Sequence, residues 1–364
     1  MDHATTGLIP EYSLKVMYNH LTHRFEEGIR ISEFWDLWEQ ADSIRNLIGK
    51  MINCSEKEVI YGSSSTQLFN IFSNGISLKS GDNIVTTDSV YPANAYVWLN
   101  KKYKGIELRF AKTHYGKVFI DELFSLVDRR TRAVSICMVD NKTGYRHDIK
   151  RIGEMCRIYD IPLIVDATQA TNAFQIDVKK MNIDFLTTSI YKWLLSPLGL
   201  GFAYINKDFS NQLNQNSVGW VGTINRRNNK VKQLRLSNEA RRFETGGINF
   251  LALFGMAEVI NRYLKLTGER IEERIILLVN YLYSRIVELN KIRLYNYYPL
   301  QNRSGIVLLY IPRDINITYR KLEKYNIRAR IITNKLLRVS LHYMNNKKDV
   351  DTLISALKNI ENKK

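Results

Sequence analysis

Two periods alternate along the first part of the chain. Residues 35–53 (WDLWEQADSIRNLIGKMIN) carry apolar side chains at helical spacing, EVIYG is a short run of strand type, and TQLFNIFSNGI returns to the helical period. NIVTTD, LRFAK, AVSICMV, PLIVD, DFLTTS and GFAYI read as further short strands, several separated by helical stretches such as DIKRIGEMCRIYD. Up to about residue 205 this alternation predicts a mostly parallel sheet covered by helices.

The pattern changes after the helical run FLALFGMAEVINRYLKL. A strongly periodic amphipathic helix (GERIEERIILLVNYLYSRIVELN) leads into strands IRLYNYY and GIVLLYI, helix TYRKLEKY, strand LLRVSLHY and helix KKDVDTLISALKNI. The expected organisation is a large α/β domain over residues 15–255 and a small C-terminal α+β domain over 256–364, joined by an N-terminal segment, 1–14. No repeat or low-complexity linker separates them, which predicts close packing. The polar, Asn-rich stretch 211–240 reads as a long loop beside the active-site entrance.

With 364 residues, 45% hydrophobic and 24% charged, the composition is that of a soluble globular enzyme. The net charge of +17 favours acidic ligands, nucleic acid or anionic membrane. Its Lys and Arg residues are spread out, however, as in NRRNNKVK and NIRARIITNK, and no nucleic-acid-binding motif accompanies them. A solvated basic surface is the expectation. Cys54, Cys137 and Cys156 have no metal-ligand spacing and no disulfide framework, as in a reduced cytoplasmic protein. MDHATTGLIPEYS lacks the form of a signal peptide. The longest apolar stretch, 193–205, is broken by Pro197 and two glycines and is too short to span a bilayer.

Candidate chemistry centres on Lys192. It follows DFLTTSIY and precedes an apolar run, a setting that lowers a lysine pKa and suits Schiff-base formation. Asp166 ends the run IPLIVD, so it belongs at the carboxyl edge of the sheet, where open α/β sheets bind ligands. A carboxylate there would suit a pyridinium nitrogen, and the pair points to pyridoxal phosphate. Each residue alone has a plainer explanation: a lysine snorkelling from a strand end, an aspartate capping a helix. YGSSSTQLFN, a strand–loop–helix junction, offers backbone N–H groups and a helix dipole to an anion, and would also serve as a simple helix cap.

With these motifs in this order, the chain resembles the class V aminotransferase family of fold-type I pyridoxal phosphate enzymes. The family includes cysteine desulfurases, kynureninases and isopenicillin-N-epimerase-like proteins. The likeness runs from DHATTGLIP to LRVSLHYMNNKKDVDTLISAL. It implies a seven-stranded, mostly parallel sheet with Lys192 as Schiff-base lysine and proton shuttle, and Asp166 as partner of the ring nitrogen. It further implies Ser65, Thr66, Ser189 and Tyr191 around the phosphate, Gln169 and Asn141 near the phenolic oxygen, and Tyr91 stacked on the ring. Arg338 would grip the substrate carboxylate, and Thr6 lies in the segment expected on the substrate side. RRFETGGINF resembles the segment FExGTxN, which in relatives reaches the cofactor of the other subunit. That implies a homodimer with shared active sites, although Gly247 stands where threonine is usual.

The reaction is less legible. Cysteine desulfurases carry a mobile cysteine shortly before the carboxylate-binding arginine. Here that segment, RARIITNKLLR (328–338), has none, and persulfide-forming desulfuration is not expected. Transamination or β-elimination of C–S lyase type on a small amino acid or its conjugate comes first, epimerisation second. An aminotransferase-like nucleic-acid-binding regulator would suit the charge but needs an extra domain. A nicotinamide-binding enzyme would need a GxGxxG motif after its first strand, which is absent.

Overall fold

A computed structural model describes residues 1–227 and 232–362. The eleven strands among them are β1 Val59–Gly62, β2 Asn83–Thr87, β3 Glu107–Ala111, β4 Thr131–Cys137, β5 Leu163–Asp166, β6 Phe185–Ser189, β7 Gly201–Ile205, β8 Arg293–Leu294, β9 Ile306–Tyr310, β10 Arg330–Thr333 and β11 Leu336–Ser340. The helices are α1 Glu11–Glu26, α2 Ile31–Ile52, α3 Ser65–Gly75, α4 Pro92–Leu99, α5 Ile120–Ser125, α6 Ile149–Ile158, α7 Lys207–Gln212, α8 Phe250–Leu266, α9 Gly268–Ile286, α10 Tyr319–Glu323 and α11 Lys347–Glu361.

The first seven strands form one sheet in the order β1-β7-β6-β5-β4-β2-β3. Only β7 runs against the others. Every residue of β5, β6 and β7 is buried, because helices cover both faces. Along β5, Leu163 and Val165 join the apolar core on one face and Ile164 joins the core on the other, with Phe69, Phe72 and Trp98. This is the expected α/β fold.

Strands β8 to β11 form a second, antiparallel sheet in the order β10-β11-β9-β8. Helix α9 turns Ile271, Ile275, Leu278, Val279, Leu282 and Ile286 into the core, the face its periodicity announces. The chain start belongs to this sheet: Asp2 bridges Ser340, and Ala4 N–H donates to Ser340 Oγ at 3.0 Å.

Four features differ from the sequence pattern. The division expected between residues 255 and 256 falls inside α8, one continuous helix that packs on α1, α2 and α9. Helix α1 was not expected, although Leu14, Tyr18, Leu21 and Phe25 stand at helical spacing; within this chain only Ser13 and Met17 are buried. IRLYNYY keeps just two residues of strand. β10 lies in the basic segment before Arg338 and is half-exposed at a sheet edge, where burial imposes no apolar alternation. The loop 211–240, whose residues 228–231 lie outside the described residues, packs on α2 through Trp220, which meets Trp38 and Trp35 edge-on.

Candidate active site

The carboxyl ends of β4, β5 and β6 meet at one place. In the parallel register Cys137 pairs with Asp166 and Asp166 with Thr187, while Ser189 pairs with Gly201 across the antiparallel step. Strand β1 ends at Gly62 on the same edge, and α3 begins three residues later. The edge encloses a cavity of about 220 Å³ lined by Ser64, Ser65, Thr66, Tyr91, Cys137, Val139, Asn141, Asp166, Thr168, Gln169, Ser189, Tyr191, Lys192 and Leu198. A larger, more open hollow of about 560 Å³ beside His147 and Asn302 is lined by neither Lys192 nor Asp166. None of the described residues of 211–240 lines the smaller cavity.

The turn after β6 that carries Lys192 is fixed by its backbone carbonyls. Tyr191 O accepts from Gly7 N–H at 2.9 Å, Lys192 O from Leu195 N–H at 3.2 Å, and Trp193 O from Asn172 Nδ2 at 2.7 Å. Gly7 is needed here because a Cβ on it would lie 2.1 Å from Lys192 O. Lys192 is 7% exposed, with its Nζ 5.2 Å from the ring centre of Tyr91 and 5.6 Å from that of Tyr191. Burial lowers its pKa below the ordinary lysine value, Asp166 opposes that, and Arg338 adds to it. Burial raises the Asp166 carboxyl, against hydrogen bonds from Thr168 and the charge of Lys192.

At the other end of the cavity, Ser64 caps α3 by accepting from Gln67 N–H. Ser189 Oγ accepts Ser65 N–H at 3.0 Å and donates to Ser65 Oγ at 2.9 Å. The amide and hydroxyl of Thr66 have no protein partner among the described residues. An eleven-residue helix thus opens on the cavity with hydroxyl and N–H donors. Between the two ends, Asn141 Oδ1 is buried without a hydrogen-bond partner. A buried acceptor left open costs about 1–3 kcal/mol, so a ligand donor is implied there. The donor set fits pyridoxal phosphate: anion donors at one end, an amine and a carboxylate at the other, and between them the Asn141 amide, which can turn either its oxygen or its nitrogen to a ligand.

Nine of the residues singled out from sequence therefore share one cavity: Ser65, Thr66, Tyr91, Asn141, Asp166, Gln169, Ser189, Tyr191 and Lys192. Gln169, however, has both ends of its amide engaged, Nε2 to Ala4 O at 3.0 Å and Oε1 from Trp193 Nε1 at 2.7 Å. It ties the N-terminal segment to the lysine turn. Arg338 does not line the cavity; it is 4% exposed and joined to its wall by Nη1, which donates to Asn141 O at 2.7 Å. Thr6 does not reach Arg338, because its hydroxyl points to Tyr191 O; Thr5 and Asp2 reach it instead. Gly247 lies outside the cavity, in a hollow of about 90 Å³ with Gly62, Ser63 and Gln67, and a Cβ there would meet nothing within 4 Å.

Sequence reading missed Ser64, Cys137, Val139, Thr168 and Leu198 in the wall, and Asp2 and Thr5 at Arg338. A signal existed for Cys137, which ends a strand and hence sits at the sheet edge that binds ligands. Burial and the Asp166 charge push its thiol well above the usual value, so it is held protonated. Cys54 and Cys156 lie outside the cavity, and burial pushes each up to about 12.

A family model described as Aminotransferase class-V matches residues 1–353. Over 94% of its length the chain is 27% identical to a probable cysteine desulfurase of Borreliella burgdorferi, of which it covers 85%. Against the apo structure of a cysteine desulfurase from Thermococcus onnurineus the TM-score is 0.87 at 21% identity, covering 99% of this chain and 94% of that one. The cystine C–S lyase C-DES, solved with its reaction product cysteine persulfide, gives a TM-score of 0.90 at 19% identity, covering 99% and 97%. At these identities the two structures establish a shared fold.

Proposed function

The chain belongs to the class V aminotransferase family and is a pyridoxal phosphate-dependent enzyme, and from that premise we propose that it is a carbon–sulfur lyase acting by β-elimination on a sulfur-bearing α-amino acid. The observation that carries this reading is the state of the cysteines around the cavity. Residues 328–338 contain none, and Cys137, the one cysteine lining the cavity, is 6% exposed and held as a thiol. With no thiolate placed to receive it, the sulfur leaves with the product. The likeness to probable cysteine desulfurases and to a cystine C–S lyase supports a sulfur amino acid as substrate.

Bound pyridoxal phosphate supplies a reactive aldehyde and a protonated ring that draws electrons from the substrate α-carbon. Lys192 would anchor it covalently, Asp166 would hold its ring nitrogen, and Ser65, Thr66, Ser189 and Tyr191 would hold its phosphate. Tyr91, at the cavity mouth and 38% exposed, would cover the ring. Arg338 would bind the substrate carboxylate and fix which α-carbon bond breaks. A Lys192 amine whose charged form burial disfavours can take the α-proton at Nζ. Loss of that proton lets the C–S bond break with its electron pair going to sulfur, which takes up a proton and leaves as sulfide from cysteine or as a persulfide from cystine; water then hydrolyses the three-carbon remainder to pyruvate and ammonia.

The same reading includes a homodimer. Helix α1 leaves Leu14, Tyr18, Leu21 and Phe25 exposed, at a spacing that puts them on one face, and Phe25 is 90% exposed. An apolar stripe of this kind marks an interface. The Thr245–Asn249 segment beside the open Gly247 is available to a second subunit's cofactor.

The test is an incubation of the holoenzyme with L-cysteine and L-cystine. Pyruvate release with the cofactor band retained supports elimination. Accumulated pyridoxamine phosphate means transamination, and α-deuterium exchange without product means epimerisation. Protein-bound sulfur on Cys137 means that a persulfide forms after all.

A further inference from the structure

Arg338 is a buried guanidinium with one edge half used. Nη1 is pinned by Asn141 O at 2.7 Å. Nη2 donates to Thr5 Oγ1 at 2.5 Å and, less closely, to Asp2 Oδ1 at 3.3 Å. Nε is buried and has no partner. A carboxylate pairs best with arginine when its two oxygens meet two adjacent N–H groups side by side. Asn141 holds Nη1, so the edge left for such a pair is Nε with Nη2. Asp2 stands on one half of that edge with a single oxygen.

Electrostatics point the same way. Burial lowers the Arg338 pKa, and the Asp2 carboxylate is the main influence opposing it. Asp2 therefore neutralises a charge that an incoming carboxylate would otherwise neutralise. Two carboxylates cannot share the single Nε–Nη2 edge, so one must yield it to the other.

We propose that the Nε–Nη2 edge of Arg338 is the carboxylate-binding edge, and that Asp2 is a built-in competitor which the substrate carboxylate displaces. This rests on the substrate-binding reading of Arg338 given above. Asp2 is a positioning and affinity-setting residue. Its effect falls on substrate affinity and leaves the reacting atoms untouched. The Asp2 backbone carbonyl accepts the amides of Thr5 and Thr6 at 2.9 and 3.0 Å, and Thr5 Oγ1 shares Nη2 with Asp2, so a carboxylate arriving on this edge also disturbs the turn that these bonds close.

The test uses propionate, a carboxylate without an amine, titrated calorimetrically into the holoenzyme. Asp2→Asn is expected to bind it about three- to tenfold more tightly than the wild type, since affinity falls with the fraction of sites an internal competitor occupies. Amide exchange at Thr5 and Thr6 is expected to speed up when propionate binds the wild-type protein. This second readout does not depend on any variant folding. Equal or weaker binding by Asp2→Asn, or unchanged exchange, overturns the proposal, provided Arg338→Lys abolishes binding. If Arg338→Lys binds propionate as the wild type does, the carboxylate role of Arg338 fails, and this inference fails with it.

Discussion

Cys137 and Asp166 are register partners at the ends of two adjacent parallel strands, and both line the cavity that holds Lys192. Sequence distance hid this, because Cys137 lies far from the segment 328–338 where a sulfur-accepting cysteine is expected. The pairing also explains the inert thiol, since the neighbouring carboxylate makes a thiolate still less favourable than burial alone does. Cys137→Ser is therefore expected to keep kcat for elimination within about threefold of the wild type. A loss of a hundredfold or more, with a sulfur adduct on Cys137 by mass spectrometry, would reverse the lyase reading in favour of persulfide formation.

Lys192→Ala is expected to abolish the visible cofactor band of the purified protein. Elimination activity should drop by about three orders of magnitude or more, as removal of an anchoring base does. Absorption spectra before and after added pyridoxal phosphate check this. A variant that keeps the wild-type band disproves the covalent role.

For Arg338→Ala the expected result is a KM raised roughly ten- to a hundredfold, the equivalent of about 1.5–3 kcal/mol for charge-assisted hydrogen bonds. Retention of pyridoxal phosphate should be unchanged. Steady-state kinetics beside a cofactor titration separate the two, and unchanged KM removes Arg338 from the substrate site.

Glu244 lies three residues before Gly247 and forms a fully buried pair with Arg45, with Nη1–Oε1 at 2.8 Å and Nη2–Oε2 at 2.9 Å. Its Oε1 also accepts Tyr61 N–H at 2.7 Å, so the pair ties α2, β1 and the 244–249 loop together. Glu244→Gln removes the bidentate charge partner of a buried guanidinium and leaves only the half-exposed Asp42, 3.3 Å from Nε, as a charge partner, so it should destabilise the fold by about 2–3 kcal/mol. Urea denaturation measures this. A loss below about 1 kcal/mol shows that the pair is dispensable.

Acid should destabilise the protein through His3 and His342, whose rings stack 4.8 Å apart beneath the lysine turn. Burial lowers the His3 pKa from 6.5 to about 3, and lowers His342 well below its usual value. Above pH 6.5 both rings are neutral whether the chain is folded or not, so neither affects stability. As the pH falls from 6.5 toward about 3, the unfolded chain gains a proton at His3 that the native fold refuses. Stability then drops by about 1.4 kcal/mol per pH unit for that ring. Urea midpoints at pH 7 and pH 5 test this, with His3→Phe expected to show the smaller fall. Equal falls in both proteins exclude His3 as a cause.

The fold was legible from local pattern. Strands such as PLIVD and GFAYI are buried on both faces, so their sequences are largely apolar, and helix α9 repeats its core face at helical spacing. Lys192 and Asp166 could be found because each stands where such a run ends. Strand β10 was not legible, because it is half-exposed at a sheet edge and such an element imposes little pattern on its sequence. Helix α1 was passed over although its apolar residues stand at helical spacing, because that stripe faces away from the core of this chain.

Sequence alone thus determined the α/β architecture and the placing of Asp166, Lys192 and the Ser-rich turn before α3 at one edge of the sheet, because each follows from residues within a few positions of one another. Tertiary structure decided the rest. It set Cys137 beside Asp166, turned Gln169 toward Ala4 and Trp193, and brought Asp2 and Thr5 onto Arg338 across more than three hundred residues. Such contacts are made by strand register and by the docking of the chain start on the second sheet. Neither leaves a mark at any single position of the sequence.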